Sequence, residues 1–238
     1  MQGIIVFVIL SFIVSLILTN FIKLSEKNKG KDFGVKAYIK NFSIKNLDLK
    51  YAIIFFILFM ILTKEKNTLS IITVVPVCFS LILALIMDIK YMIIPNTCSI
   101  VIITSGIIKL IYNFSKENLI NSLIGLIIGG FTLFVIDYIF EKITKKEGFG
   151  YGDMKLLASI GFFLDYKSII VIMILSVFLS AIFSILYLII NKVKNIKDAY
   201  LPFGPFIVIS TFIVCIIPVT TIISWYIQLM DVLVNKMI

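Results

Sequence analysis

Histidine and arginine are both absent from the 238 residues of this chain. The lack of histidine excludes Ser-His-Asp triads, Cys-His pairs, HExxH zinc sites and haem held by histidine. Acid–base catalysis must therefore come from aspartate, glutamate, lysine, tyrosine or a serine–lysine pair. The chain has three cysteines, none of them in a CxxC pair, so the sequence provides neither a zinc cluster nor a disulfide framework.

Charged residues are scarce and apolar residues abundant. Of the chain, 15% is charged and 61% is hydrophobic, whereas soluble domains are about 45–50% apolar. This composition predicts an all-α fold, a polytopic bundle of about eight transmembrane helices. The apolar runs that predict these helices lie at residues 4–22, 51–63, 71–87, 98–112, 119–140, 154–164, 168–190 and 206–223. The run 154–164 rises only about 16 Å, so it must be shielded from lipid or thin the bilayer.

The basic residues are all lysines, and their distribution predicts the topology. With the N-terminus outside, the cytoplasmic loops hold fifteen lysines and the outer loops hold four. The long polar segment Lys23–Lys50 holds eight of them and is expected to be a cytoplasmic loop. The positive-inside rule thus explains the net charge of +9 better than nucleic-acid binding does. It also predicts that Asp88 and Asp153 lie at the cytoplasmic face.

Two aspartates at one membrane face predict a specific chemistry. Asp88 ends an apolar run, and Pro95 predicts that residues 89–96 turn the chain back into the membrane. Asp153 closes the stretch GFGYGD, just before the next apolar run. In an aspartic protease two carboxyls share one proton, so one takes a proton from water while the other gives one to the scissile carbonyl oxygen. That mechanism needs no histidine, thiol or metal, and we expect no bound metal.

Three glycines and a third aspartate accompany the second carboxylate. Gly148, Gly150 and Gly152 alternate with aromatic residues. They leave the backbone without side chains where a substrate chain is expected to approach, and glycine permits a positive φ there. Asp137 lies about one turn inside the fifth predicted span, where we expect a structural role, by snorkelling or by pairing with a lysine such as Lys155.

Three stretches of the chain together resemble the type IV prepilin peptidases, within the GxGD aspartic membrane proteases. DIKYMIIPN, residues 88–96, resembles the family's first catalytic aspartate followed, after a spacer, by Ile-Pro-Asp or Ile-Pro-Asn. GYGDMKL, residues 150–156, is similar to the family's GxGDxKL, and LPFGPF, residues 201–206, to the Pro-Phe-Gly-Pro that opens its last span. Order, spacing and membrane setting agree over about residues 71–223.

The resemblance implies that Asp88 and Asp153 are the catalytic pair. It implies cleavage of the N-terminal leader of prepilin or pseudopilin substrates at the cytoplasmic face of a bacterial cell membrane, for a pilus, competence or secretion. Membrane lipid is the other expected partner, and nucleic acid is not one. Further positions that the resemblance assigns to substrate binding or loop geometry are Pro95, Gly150, Gly152, Lys155, Pro202 and Gly204.

The resemblance also divides the chain. Residues 1–50 are expected to form the first transmembrane helix and a short basic loop, and residues 51–238 the membrane-embedded peptidase domain. Many bacterial members of the family carry a zinc domain with two CxxC pairs after the first span and also methylate the new N-terminus. Lys23–Lys50 contains no cysteine. We therefore expect no cofactor, with S-adenosylmethionine required only if the chain is a bifunctional leader peptidase and N-methyltransferase.

Two other classes of function are alternatives. A transporter or channel also uses intramembrane acids and glycine-broken helices, but it predicts internal repeats and acids near the midplane. The sequence has neither an evident repeat nor acids placed there. A non-catalytic assembly protein of a pilus or secretion machine would not need two aspartates in these motifs. The three motifs in order favour the peptidase.

Overall fold

The computed structural model describes residues 68–145, 148–190 and 202–237, together with Ile17, Asn20 and Lys23. These residues contain seven α-helices and no strand. The helices are α1 (Thr68–Tyr91), α2 (Asn96–Tyr112), α3 (Lys116–Thr144), α4 (Tyr151–Phe163), α5 (Tyr166–Ile190), α6 (Gly204–Ile216) and α7 (Val219–Met237). The all-α prediction is confirmed for this part of the chain. The predicted spans 4–22 and 51–63 and the loop Lys23–Lys50 lie, apart from those three residues, outside it.

Three of these helices are long and apolar enough to cross a membrane: residues 72–91 of α1, the whole of α3 and the whole of α5. The helix α2 is apolar but shorter, and α6 and α7 meet the same criterion only as a pair that is bent by 95°. The described residues therefore contain three candidate spans, or four if the bent pair is one span. The predicted count of about eight is not confirmed.

Residues 206–223, predicted as one apolar helix, do not form a continuous helix. The helix α6 ends at Ile216, and Ile217 has an extended backbone with φ −104° and ψ 118°. Pro218 follows, and the ring of a proline disfavours the helical conformation in the residue before it. The chain therefore turns at this point and continues as α7 in a different direction.

The loop after the first aspartate is shorter than predicted. The helix α1 continues through Tyr91, and the N–H of Met92 donates to the carbonyl oxygen of Asp88 over 2.8 Å. Met92 has a positive φ of 54°, which ends the helix. Pro95, with φ −63° and ψ 137°, then caps the start of α2. Residues 92–95, rather than 89–96, turn the chain, and they leave the carboxylate in the last turn of α1.

The short helix α4 lies inside the bundle, packed against α2 and α3. Its side chains Leu156, Leu157 and Ile160 are almost completely buried. A helix of 13 residues rises only about 20 Å, which is less than the roughly 30 Å of a bilayer core. Neighbouring helices surround α4, so protein covers its apolar residues, which is one of the two alternatives that the sequence left open.

Glycines bring the backbones of α3 and α4 into close contact. A Cβ on Gly125 would overlap the carbonyl group of Gly161, and a Cβ on Gly129 would lie 2.8 Å from the carbonyl carbon of Leu157. No side chain fits at either position while the helices keep this separation. Small residues spaced four apart are a common basis for tight helix packing in membranes. This contact fixes the position of α4, which carries the second aspartate.

Candidate active site

Asp88 lies between the end of α1 and the start of α6. Its side chain is buried, and Oδ2 accepts a hydrogen bond of 2.9 Å from the backbone N–H of Gly204. Gly204 is the first residue of α6, and Pro205 occupies the first turn, where a missing N–H leaves no hydrogen bond unmade. The positive end of the helix dipole suits a carboxylate at this position.

Asp153 lies in the first turn of α4, ahead of the apolar stretch that begins at Met154. Its backbone N–H donates to the carbonyl oxygen of Gly150 over 3.0 Å, and Gly150 caps the helix with φ −73°. The ability of this glycine to adopt a positive φ is therefore not used. Oδ1 of Asp153 is buried and accepts no hydrogen bond from the part of the chain that the structure describes. Burial raises the pKa of Asp153, and the nearby carboxylate of Asp88 raises it further.

Both carboxylates line one cavity of about 360 Å³. They reach it from motifs 65 positions apart in the sequence, since α1 ends and α4 begins at the same side of the bundle. The other residues lining the cavity are Met92, Gly148, Phe149, Gly150, Ser180, Ser184, Pro202, Phe203 and Phe206. The structure thus brings Asp88, Asp153, Gly150 and Pro202 together around this cavity.

Two predicted glycines pack against protein at this site. A Cβ on Gly204 would lie 2.6 Å from Oδ2 of Asp88, so any side chain there would displace the hydrogen-bonded carboxylate. A Cβ on Gly152 would lie 3.0 Å from Cβ of Ile94, in the loop that follows α1. Ile94 thus fills the space that a side chain at residue 152 would need, which favours a role of Gly152 in loop geometry.

Two other predicted site residues lie outside the cavity lining. The ammonium group of Lys155 donates to Oδ1 of Asn96 over 3.0 Å, at an exposed position between α4 and α2. It is thus engaged there rather than with Asp137. Pro95 caps α2 and accepts a hydrogen bond of 3.0 Å from the N–H of Cys98. Lys155 thus connects α4 with the start of α2, and Pro95 connects the loop after Asp88 with α2.

Sequence reasoning missed the wall of the cavity that α5 and the aromatic residues provide. Ser180 and Ser184 are four residues apart, so they lie on one face of α5. Two serines at this spacing within an apolar run could have been recognised from the sequence. The rings of Phe149 and Phe203 meet edge to face with centroids 5.1 Å apart. No local pattern marks that pair, since 54 residues separate them.

Gly152→Val is expected to separate α4 from the loop after Asp88 and so to abolish the leader removal that the resemblance to the type IV prepilin peptidases implies. Cβ alone would lie 3.0 Å from Ile94, and the two methyl groups of valine add further overlap. Tyr151→Val introduces the same residue at the preceding, exposed position and should keep most of the activity. Leader removal per amount of membrane-embedded protein is the measurement, and full activity of Gly152→Val would contradict the packing role.

Three proteins similar to this chain share one name. The chain is 28% identical over 184 residues to the prepilin leader peptidase/N-methyltransferase of Aeromonas salmonicida, which covers 76% of this chain and 60% of that protein. The protein of the same name from Dichelobacter nodosus is 30% identical over 138 residues, 58% of this chain and 43% of the relative. The one from Pseudomonas aeruginosa is 32% identical over 94 residues, 39% and 31% of the two chains.

The chain thus spans at most 60% of the length of these three relatives. No solved structure matches it. A family model described as the type IV leader peptidase family matches residues 75–185, slightly less than half of the chain. Both aspartates, the GxGD stretch and the serines of α5 fall inside that match. The predicted resemblance to the type IV leader peptidase family is therefore confirmed, over residues 75–185.

Proposed function

We propose that this chain is a membrane aspartic endopeptidase that removes the N-terminal leader of type IV prepilin-like proteins, with Asp88 and Asp153 as its catalytic pair. The observation that carries the proposal is that both carboxyls line one cavity although they come from separate motifs. A cavity of about 360 Å³ accommodates a short stretch of peptide. Prepilins or pseudopilins are the substrates, and the surroundings are membrane lipid.

The reaction is hydrolysis of one peptide bond by water. The ionised carboxylate removes a proton from the water molecule, whose oxygen attacks the scissile carbonyl carbon. The protonated carboxyl gives its proton to the carbonyl oxygen, and a tetrahedral intermediate forms. Its collapse breaks the C–N bond as the leaving nitrogen takes a proton from the first aspartate, while one hydroxyl of the intermediate returns its proton to the second aspartate and re-forms the carbonyl group. One carboxyl is again protonated and the other ionised, as at the start.

The surroundings of the two carboxyls suggest which one holds the proton. Asp88 receives the N–H of Gly204, and such a donor is a better partner for a carboxylate than for a carboxylic acid. Asp153 is buried with a raised pKa, which favours its protonated form. We assign Asp88 as the base that activates water and Asp153 as the acid. The unpartnered Oδ1 of Asp153 is then free to donate to the substrate.

The cytoplasmic face is the side at which cleavage is proposed. Lysines flank the candidate spans mainly on the side of the two aspartates, and the positive-inside rule puts that side in the cytoplasm. The N-terminus is then outside. A leader that precedes a hydrophobic segment would meet the carboxyls where α4 begins, near the end of α1.

Co-expression with a prepilin-like protein from the same genome tests the proposal. Leader removal shortens the substrate, and a gel resolves the two forms. We expect the mature form only in cells that carry the intact chain. An uncut substrate across all pilus, competence and secretion candidates of that genome would contradict the proposal and favour the transporter or assembly protein.

N-methylation of the new terminus is the second activity to consider, because the names of the relatives include it. Lys23–Lys50 contains no cysteine, so the two CxxC pairs of the longer family members are missing there. We expect a mature product without the added methyl group, and mass spectrometry of its N-terminal peptide measures this. A product heavier by one methyl, dependent on this chain, would instead establish the bifunctional enzyme.

A further inference from the structure

We propose that Asp137 is a positioning residue that holds the backbone before the GxGD aspartate and, through it, both carboxyls of the pair. This inference rests on the proposed function. Asp137 lies in the last third of α3 and is only 8% exposed. A buried aspartate near the end of a membrane helix is costly unless its oxygens are satisfied. Its partners therefore indicate what it does.

The partners are two consecutive backbone amides. Oδ1 of Asp137 accepts hydrogen bonds from the N–H of Gly148 over 2.7 Å and from the N–H of Phe149 over 2.9 Å. A single oxygen that accepts two adjacent N–H groups fixes the orientation of the peptide plane between them. These two residues also line the cavity that contains the aspartate pair.

Gly148 lacks a side chain that would interfere with the contact between its backbone and Asp137. A Cβ at this position would lie 3.2 Å from Oδ1 of Asp137 and 2.9 Å from Cδ1 of Phe140. A larger residue would push the backbone away from the carboxylate. The first glycine of the stretch GFGYGD thus allows the approach to Asp137, a role that its spacing alone did not reveal.

One series of contacts connects the peptide at residues 148–149 with Asp153. Gly150 follows Phe149 directly and caps α4. Its carbonyl oxygen accepts the N–H of Asp153 over 3.0 Å. Moving the peptide at residues 148–149 would therefore move the cap and tilt the first turn of α4.

A second line of contacts reaches Asp88. The ring of Phe149 packs edge to face on Phe203, with centroids 5.1 Å apart. Phe203 is the residue before Gly204, whose N–H donates to Oδ2 of Asp88. The peptide that Asp137 holds is thus linked to both of the carboxyls that line the cavity.

Replacing Asp137 by asparagine or by alanine distinguishes a role as hydrogen-bond acceptor from a general structural role. Asparagine keeps an oxygen in the position of Oδ1 and removes the charge, whereas alanine removes both. Asp165→Ala is the matched control, since Oδ1 of Asp165 also accepts a backbone N–H, that of Ser168, over 2.7 Å. Asp165 lies twelve residues beyond Asp153, about 18 Å along the axis of α4, beyond the far end of that helix.

The experiment measures kcat and KM of the purified full-length variants in detergent, on a peptide that spans the leader and the start of the hydrophobic segment. A misplacement of catalytic groups by about 1 Å costs up to roughly 10²-fold in rate, so Asp137→Ala should lower kcat about 10- to 100-fold. KM should change little. We expect Asp137→Asn and Asp165→Ala to keep kcat within about threefold of the unaltered chain, since neither moves the catalytic groups.

Hydrogen exchange of the amides at Gly148 and Phe149 gives a second readout that needs no peptidase activity. Exchange should be faster in Asp137→Ala than in the unaltered chain and in Asp137→Asn. The inference is overturned if exchange is unchanged, if Asp137→Asn is as slow in catalysis as Asp137→Ala, or if Asp165→Ala loses as much kcat. If the unaltered chain cuts no leader, the proposed function fails, and the exchange result alone then decides the role of Asp137.

Discussion

Replacing either Asp88 or Asp153 by asparagine is expected to abolish leader removal while the protein stays in the membrane. Asparagine matches aspartate in size but can neither take a proton from water nor give one to a carbonyl oxygen. General acid–base catalysis contributes about 10²–10⁴-fold per group. We expect each single variant to lose at least about 10³-fold in cleavage, and the double variant to lose little more, because the two carboxyls act as a unit.

The folded structure should tolerate both changes. The amide oxygen of asparagine at residue 88 can still accept the N–H of Gly204, so the contact between α1 and α6 is preserved. Asparagine at either residue also removes the like-charge interaction with Asp88 that raises the pKa of Asp153. Asp231→Asn, at an exposed position of α7, is the matched control and should cleave normally. Substantial leader removal by either catalytic-pair variant, measured per amount of protein in the membrane, would refute the assignment.

Gly129→Ala is expected to remove most of the folded protein, although alanine is the better helix former. Alanine favours a helix over glycine by up to about 1 kcal/mol, so propensity alone predicts a gain in stability. Here the new methyl group would lie 2.8 Å from the carbonyl carbon of Leu157, and backbone cannot move aside as a side chain can. Overpacking of this kind costs about 1–3 kcal/mol or more.

Ile127→Ala is the control for that prediction. Ile127 lies on the same helix and is 58% exposed, so alanine there meets no neighbouring backbone. The measurement is the amount of each variant that remains monodisperse after extraction from the membrane. Gly129→Ala should fall well below the control. Equal yields would mean that α3 and α4 can separate without loss, and that the glycine contact does not determine the fold.

The sequence predicted the helices through hydropathy, because a bilayer requires long apolar runs and an all-helical or closed structure. It failed at residues 206–223, where hydropathy continues through a change of direction. Pro218 was the available signal, since proline disfavours helix in the preceding residue. The second error, at Tyr91, is of a different kind. No residue before Met92 signals an end of the helix, and α1 therefore continues past Asp88.

The part of the site that lies in local sequence motifs could be predicted. Asp88 and Asp153 stand out because a carboxylate next to an apolar run is uncommon. The hydrogen-bond partners of the site residues could not be predicted from local motifs. The N–H of Gly204 reaches Asp88 from 116 positions away, and Asp137 accepts from amides 11 and 12 positions further along the chain. Such contacts depend on how helices pack, which hydropathy does not specify.

The hydrogen bond between Gly204 and Asp88 also has a consequence for the order in which the protein is made. The two residues are 116 positions apart. At about 5–20 residues per second, a ribosome needs on the order of 6–20 s to make the chain between them. Asp153 emerges within that interval, so a nascent chain carries both carboxyls before the donor that holds one of them exists. The arrangement in which Gly204 holds Asp88 can therefore form only after the start of α6 has been translated.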